Sequence, residues 1–266
     1  MALALLADNE PAVFETLREG GGSPFFLTCD HAGRRIPRRL GALGLDEHDL
    51  RRHIAWDIGA AGVTRFLAED LDAFAILQTY SRLVIDCNRP PDAYDLIPVV
   101  SEHTAIDANR ALPPAERQTR VDTIFTPYHE RIARELDLRQ RAGTPTILMA
   151  IHSFTPVFKG VPRPWHVGLL FNRDGRLARH MLTALKARGD LVVGENEPYA
   201  VGDASDYTIP VHGERRGLPH VEIEIRQDLI ADEAGQRAWA QLLAEVCRSV
   251  DAGSQLAQPL RHSKET

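Results

Sequence analysis

Cysteine is scarce in this chain: Cys29, Cys87 and Cys247 are the only three among 266 residues, and no C-x-x-C pair occurs. That excludes a disulfide framework and a thiolate zinc knuckle, and it fits a reducing, cytoplasmic setting. Aromatic residues make up only 6%, and 31 Lys+Arg against 37 Asp+Glu leave a net charge of −6. The basic footprint that a nucleic-acid binder needs is therefore missing. No apolar run approaches the length of a membrane span, so no membrane partner is expected. The opening MALALLA is too short for a leader and lacks both a positive flank and a cleavage site. No G-x-S-x-G elbow, Walker loop or dinucleotide fingerprint is found, because Gly20-Gly21-Gly22 stands before a strand and not a helix. Ser153, although it follows His152, thus lacks the setting of a nucleophile.

What is present is a chain long enough to bury roughly 70–75% of its unfolded surface in one core. One domain over 1–251 is expected, with a flexible tail at 252–266. Eleven histidines are the compositional feature that invites chemistry. Apolar, β-favourable runs at 25–29, 74–79, 83–87, 146–151, 167–171, 191–193 and 221–225 read as strands. Between them, helical spacing appears at 46–55, capped by Asp46, and at 58–71, 121–136, 177–188 and 233–250. Pro127 should kink or restart the third of these helices. Residues 90–114 form a long polar connection of the kind that carries function. This alternation predicts an α/β domain with a mostly parallel or mixed sheet covered on both faces, with sites gathered beyond the carboxyl ends of strands.

Polar clusters follow the strands: Cys29-Asp30-His31, Asp86-Cys87-Asn88-Arg89 and Ile151-His152-Ser153. Two imidazoles and a carboxylate with an open position make a typical catalytic zinc site. In His220-Val221-Glu222-Ile223-Glu224-Ile225-Arg226, a period of two puts four polar residues on one face. That face is either a solvated edge ladder or a carboxylate poised as a general base. Arg82 and Arg89 bracket an apolar run, and a guanidinium there suits a substrate carboxylate, although structural ion pairs explain either residue equally well. His53 and Asp57 share a helical face, and for His53 a local interaction is the simpler reading.

The series Asp30-His31-Ala32-Gly33 with Ile36-Pro37, Ser81-Arg82-Leu83-Val84-Ile85-Asp86-Cys87-Asn88-Arg89-Pro90, His152-Ser153-Phe154 and Glu222-Ile223-Glu224-Ile225-Arg226 resembles the N-formylglutamate amidohydrolase family. The family is similar in fold to zinc carboxypeptidases, which implies a phosphorylase/hydrolase-like, three-layer α/β/α architecture with a mixed central sheet and one zinc ion. The resemblance places metal ligands on His31, Asp57 and His152, with Asp30 and Glu222 as competitors for the carboxylate. Arg34 stands where the carboxypeptidase His-x-x-Glu pattern would have its glutamate. Glu224 becomes the general base and then acid, Arg82 the group that polarises the scissile carbonyl, and Asn88 with Arg89 the pair that holds a substrate carboxylate. His212 and Arg226 join the substrate side, together with the stretch 194–199. The implied reaction is zinc-dependent hydrolysis of the N-acyl amide of a small acidic amino acid, foremost N-formyl-L-glutamate. Another N-acyl amino acid or short peptide, or a non-catalytic carboxylate binder, are the alternatives.

Overall fold

The computed structural model describes residues 4–250. The proposed tail at 252–266 lies outside the described residues. Seven strands form one sheet in the order β1-β3-β2-β6-β11-β9-β10. They are β1 (Phe14–Leu17), β2 (Phe25–Cys29), β3 (Phe74–Gln78), β6 (Ile147–Phe154), β9 (Val167–Leu170), β10 (Val193–Glu195) and β11 (His220–Arg226). Two short hairpins stand apart from it, β4–β5 (Val100–Ser101, Thr104–Ala105) and β7–β8 (Val157–Phe158, Val161–Pro162). The four central strands β3, β2, β6 and β11 run parallel, while β1 pairs antiparallel with β3 and β9 antiparallel with β11. The sheet is therefore mixed. Strands covered on both faces read as unbroken apolar runs, and β2, β3 and β6 are buried at every position.

On one face lie α2 (Ala60–Leu71), α5 (Arg176–Lys186) and α6 (Glu233–Arg248), whose apolar stripes meet the odd-facing residues Leu27, Met149, Ile223 and their neighbours. In α2, Val63 and Leu67 stand one turn apart and are fully buried, the spacing that makes one helix face a core face. The opposite face is covered by α4 (Thr126–Arg141) and the long connection after β3, which close over Phe26, Ile76 and Leu148. Helix α1 (Glu47–Arg51) is short, ends well before residue 55, and is capped by the Asp46 carboxylate accepting from Asp49 N. Pro127 does not break the helical run. Helix α3 (Pro114–Arg120) continues into α4 through a single wide turn, Val121–Phe125, which ends two residues before the proline. A widened turn relieves the crowding between a proline ring and the carbonyl four residues back. No helix among the described residues is long and apolar enough to cross a membrane.

One expected strand is absent. Residues 83–87 fold as successive turns, although Leu83, Val84, Ile85 and Cys87 are all fully buried. Their carbonyls find side chains and not a neighbouring strand: Asn109 Nδ2 donates to Leu83 O at 2.8 Å and the buried Arg120 donates to Val84 O at 2.9 Å. A buried loop is tolerated only when such partners exist. The edge strand β1, in turn, carries no apolar run strong enough to announce it in the sequence.

Candidate active site

Residues from five segments converge at the carboxyl ends of β2, β6 and β11. His31 follows β2 by two residues, Asp57 precedes α2, and His152 lies within β6, which runs on to Phe154 because β11 pairs with it that far. Two glycines set the flanking backbone. A Cβ on Gly33 would come 1.9 Å from Thr79 O, so only glycine lets the loop after His31 press against the end of β3. Gly59, at φ +83°, leads into α2 two residues after Asp57, and a Cβ there would meet Ile230 O at 2.1 Å.

His31, Asp57 and His152 form one buried donor group, each offering a ligand atom within 4.8 Å of the others. Asp57 Oδ2 lies 2.9 Å from His152 Nδ1 and 3.4 Å from His31 Nδ1. The outer nitrogens face further carboxylates: His31 Nε2 is 2.6 Å from Asp86 Oδ1, and His152 Nε2 is 3.4 Å from Asp30 Oδ2. Two imidazoles and one carboxylate, each imidazole backed by a second acid, are the donor set of a catalytic divalent-metal site. His152 Nε2 and Asp30 Oδ2 are buried and form an ion pair but no hydrogen bond with each other, and they belong to the same assembly. The residues thus fit a metal. Burial opposes the charged form of His152, yet the acids Glu222, Asp30 and Asp57 raise its pKa well above the usual range. Burial likewise opposes ionisation of Asp57, but His31 and His152 hold its carboxyl far below normal. A second acidic group, Asp46, His48 and Asp49, is exposed or half-exposed, and Asp46 already caps α1.

Asp30 and Glu222 are not in the inner group. Tyr128 donates to Asp30 Oδ1 at 2.7 Å, turning the other oxygen toward the outer nitrogen of His152. Glu222 accepts from Asn88 Nδ2 at 3.3 Å. Asp30→Asn keeps this shape and removes the charge behind His152. Metal affinity is expected to fall about 10–100-fold, the usual cost of losing such an outer carboxylate. Competition with a chromophoric chelator measures it, and an unchanged affinity would remove Asp30 from the metal's support.

Glu224 stands beside His152 in register on the parallel pair β6–β11. Because β11 is paired on both sides, by β6 and β9, its polar face is no solvated edge. Glu224 Oε2 is buried without a hydrogen-bond partner. Burial raises its carboxyl to about 8, with Asp57 pushing the same way and His152 and Arg82 opposing. The cavity over these groups has a volume of about 440 Å³ and reaches Arg82, Asn88, Arg89 and Tyr199. Arg82 is clamped: Nε and Nη2 donate to Asp86 Oδ2 at 3.2 and 2.8 Å, and Nη1 to Asp57 Oδ1 at 3.4 Å. It holds the acid behind His31 and the acid between the histidines at once.

Three sequence assignments need correction. Asn88 lines the cavity, but its amide is committed to scaffold: Nδ2 donates to Asp206 and Glu222, while Oδ1 accepts from Tyr207 N and Thr208 N. It ties the loop after β3 to the loop before β11 and has no free donor for a substrate. His212 does not reach the cavity. It is buried with its Nε2 3.0 Å from His129 Nδ1, and His129 Nε2 lies 2.8 Å from Cys87 O. For the carbonyl to be satisfied, His129 donates from Nε2 and accepts at Nδ1, so His212 donates to it. Burial keeps both imidazoles neutral, with His129 lowered to about 4. Arg226 is also elsewhere. The strand ends there, and its guanidinium turns to Asp228 and Pro164 O. Ser153 Oγ donates to Ile58 O at 2.9 Å, as befits a structural hydroxyl. His53, read from the sequence as a local contact, lines the cavity with Nε2 3.5 Å from Glu102. Sequence reasoning passed over Asp86 and Tyr128. Asp86 lies inside the motif around Arg82, whereas nothing in the helical run of Tyr128 marks it as reaching Asp30.

The sequence pattern of the N-formylglutamate amidohydrolase family matches residues 23–231. The chain belongs to that family. An N-formylglutamate deformylase of Pseudomonas aeruginosa is 27% identical over 254 residues, covering 86% of this chain and 90% of the relative. One from Pseudomonas putida is 28% identical over 250 residues, covering 85% and 88%. Among solved structures, a gene product of Agrobacterium tumefaciens superposes with a TM-score of 0.88 at 39% identity, covering 91% of this chain and 96% of the other. An N-formylglutamate amidohydrolase of Ralstonia eutropha shares the fold, with a TM-score of 0.70 at 22% identity, covering 90% and 100%. The family-matched region contains every residue of the cavity described above.

Proposed function

We propose that this protein is a metal-dependent amidohydrolase that cleaves the formamide bond of an N-formyl amino acid, with N-formyl-L-glutamate as the first substrate to assay. The observation that carries this reading is the unpartnered Glu224 carboxyl beside the His31–Asp57–His152 donor group. The names of the two Pseudomonas relatives support the substrate class. His31, Asp57 and His152 would hold a zinc ion, which when bound would supply Lewis acidity and favour the ionised form of a neighbouring carboxyl. Glu224 takes the proton from the attacking water and returns it to the leaving nitrogen. The C–N bond breaks, hydroxyl stays on the formyl carbon, and formate and a free amine leave. Arg82, fixed by Asp86 and Asp57, lends positive charge to the oxyanion that develops on the carbonyl oxygen. Arg89, which lines the cavity, grips a substrate carboxylate through its guanidinium.

Formate release from N-formyl-L-glutamate by the purified protein tests the reading, and no release under metal-replete conditions would reject it. Arg89→Ala is expected to raise KM about 10–100-fold, the worth of a charged hydrogen bond, with kcat changed much less. Steady-state kinetics checks this, and an unchanged KM would take the carboxylate away from Arg89.

A further inference from the structure

N-formyl-L-glutamate carries two carboxylates, and Arg89 can hold one of them. The other guanidinium in the cavity lining, Arg82, is engaged through all three nitrogens by Asp86 and Asp57. A second anion needs a cation from beyond the lining. Arg163 stands there. It follows the β7–β8 hairpin, which leaves β6, and it precedes β9, whose first residue pairs with Ile225, so it lies at the same sheet end as His152 and Glu224. Its half-buried guanidinium packs on two rings of the cavity lining, 4.6 Å from the Phe158 centroid and 4.7 Å from that of Tyr199. Nη1 donates to the Tyr199 hydroxyl at 2.7 Å. Nε and Nη2 have no protein partner, and no acid pairs with Arg163, among the described residues. The other half-buried arginines nearby do have acids: Arg52 pairs with Asp49 and Glu102, and Arg226 with Asp228. Lys159, at the hairpin turn, is exposed and keeps its water.

Tyr199 is fixed from behind. A Cβ on Gly168 would come 1.9 Å from Glu197 O, so the loop leading to Tyr199 presses on β9 at the position in register with Glu224. Because the phenol oxygen accepts from Arg163, its proton is free for a ligand in the cavity that Tyr199 lines. A guanidinium held on aromatic faces beside a phenol is a preorganised carboxylate clamp, with little side-chain entropy left to lose on binding. The field of Arg163 extends into the cavity: burial lowers the pKa of His53 in the lining, and Arg163 is among the cations that lower it further. Arg89 N donates to Asp86 O at 3.2 Å, which keeps Arg89 close to the acid behind His31, whereas Arg163 stands behind the aromatic wall. The α-carboxylate, adjacent to the formamide, therefore goes to Arg89.

We infer that Arg163, together with the Tyr199 hydroxyl, holds the side-chain carboxylate of the substrate and sets the preference for an acidic side chain. This rests on the deformylase reading above. N-formyl-L-glutamine has the shape of N-formyl-L-glutamate without the side-chain charge, so their ratio of kcat/KM isolates the point. The metal-loaded wild-type protein should favour N-formyl-L-glutamate by about 10–100-fold, the worth of a charged hydrogen bond. Arg163→Gln should remove most of that preference by lowering kcat/KM for N-formyl-L-glutamate alone, and Tyr199→Phe, which keeps the ring under the guanidinium, should lower it severalfold. Both substrates are measured on one sample, so the ratio does not depend on the fraction of protein folded. Parity in the wild type, or an undiminished ratio in either variant, overturns the inference and leaves the deformylase reading intact. Formate release from neither substrate by the wild type rejects the reading itself, and the inference with it.

Discussion

Glu224→Gln is expected to lower kcat about 10²–10⁴-fold, the usual contribution of a general base, while the protein keeps its metal. The substitution preserves shape, and Glu224 Oε2 makes no hydrogen bond that would be lost. The inner donors His31, Asp57 and His152 remain as they are. What disappears is, among the described residues, the only group with both a buried, unpartnered oxygen and a position in register with His152. Single-turnover kinetics and elemental analysis on the same sample separate the two effects. A variant with normal turnover would remove Glu224 from the reaction, and one that had lost its metal would make Glu224 part of the ion's support.

His152→Ala should have a larger effect, because it removes one of three inner donors and strands two acids. Asp57 and Asp30 are both buried, and His152 is the imidazole between them. Metal content is expected to fall to background, and turnover with it. Leaving a buried charge without its partner typically costs ~3–5 kcal/mol, so the metal-free melting temperature should fall as well. His152→Gln keeps a polar group in that space and should recover part of the thermal stability without recovering metal. Full metal content in both variants would show that the ion sits elsewhere.

Much of this site was legible in the chain because polar residues interrupt apolar strands there. Asp30-His31 and His152-Ser153 mark strand ends, and the alternation in β11 put Glu222 and Glu224 on one face. What alternation alone could not decide was whether that face is solvated. The answer depends on β9 pairing antiparallel with β11 from far along the chain, which turns an apparent edge into the cavity wall. Asp57 has no local signal that distinguishes it from Asp30, and only the resemblance singled it out. The chain reversal that brings it between two histidines rests on tertiary contacts such as Asp57 N donating to His31 O at 3.0 Å. The run 83–87 shows the opposite error. Its burial was read correctly and its strand form was not, because Asn109 and Arg120 satisfy carbonyls that a sheet would otherwise have claimed. Asn88 and His212 illustrate a third case, in which residues of the right chemistry are consumed by neighbours that spacing does not reveal.

The central claim is that His31, Asp57 and His152 hold one metal ion on which hydrolysis depends. Elemental analysis of the purified protein, paired with formate release before and after treatment with a strong chelator, tests it most directly. The account predicts close to one zinc or comparable divalent ion per chain, loss of nearly all formate release when that ion is removed, and recovery when zinc is restored. Full formate release from protein shown by the same analysis to be metal-free would contradict it.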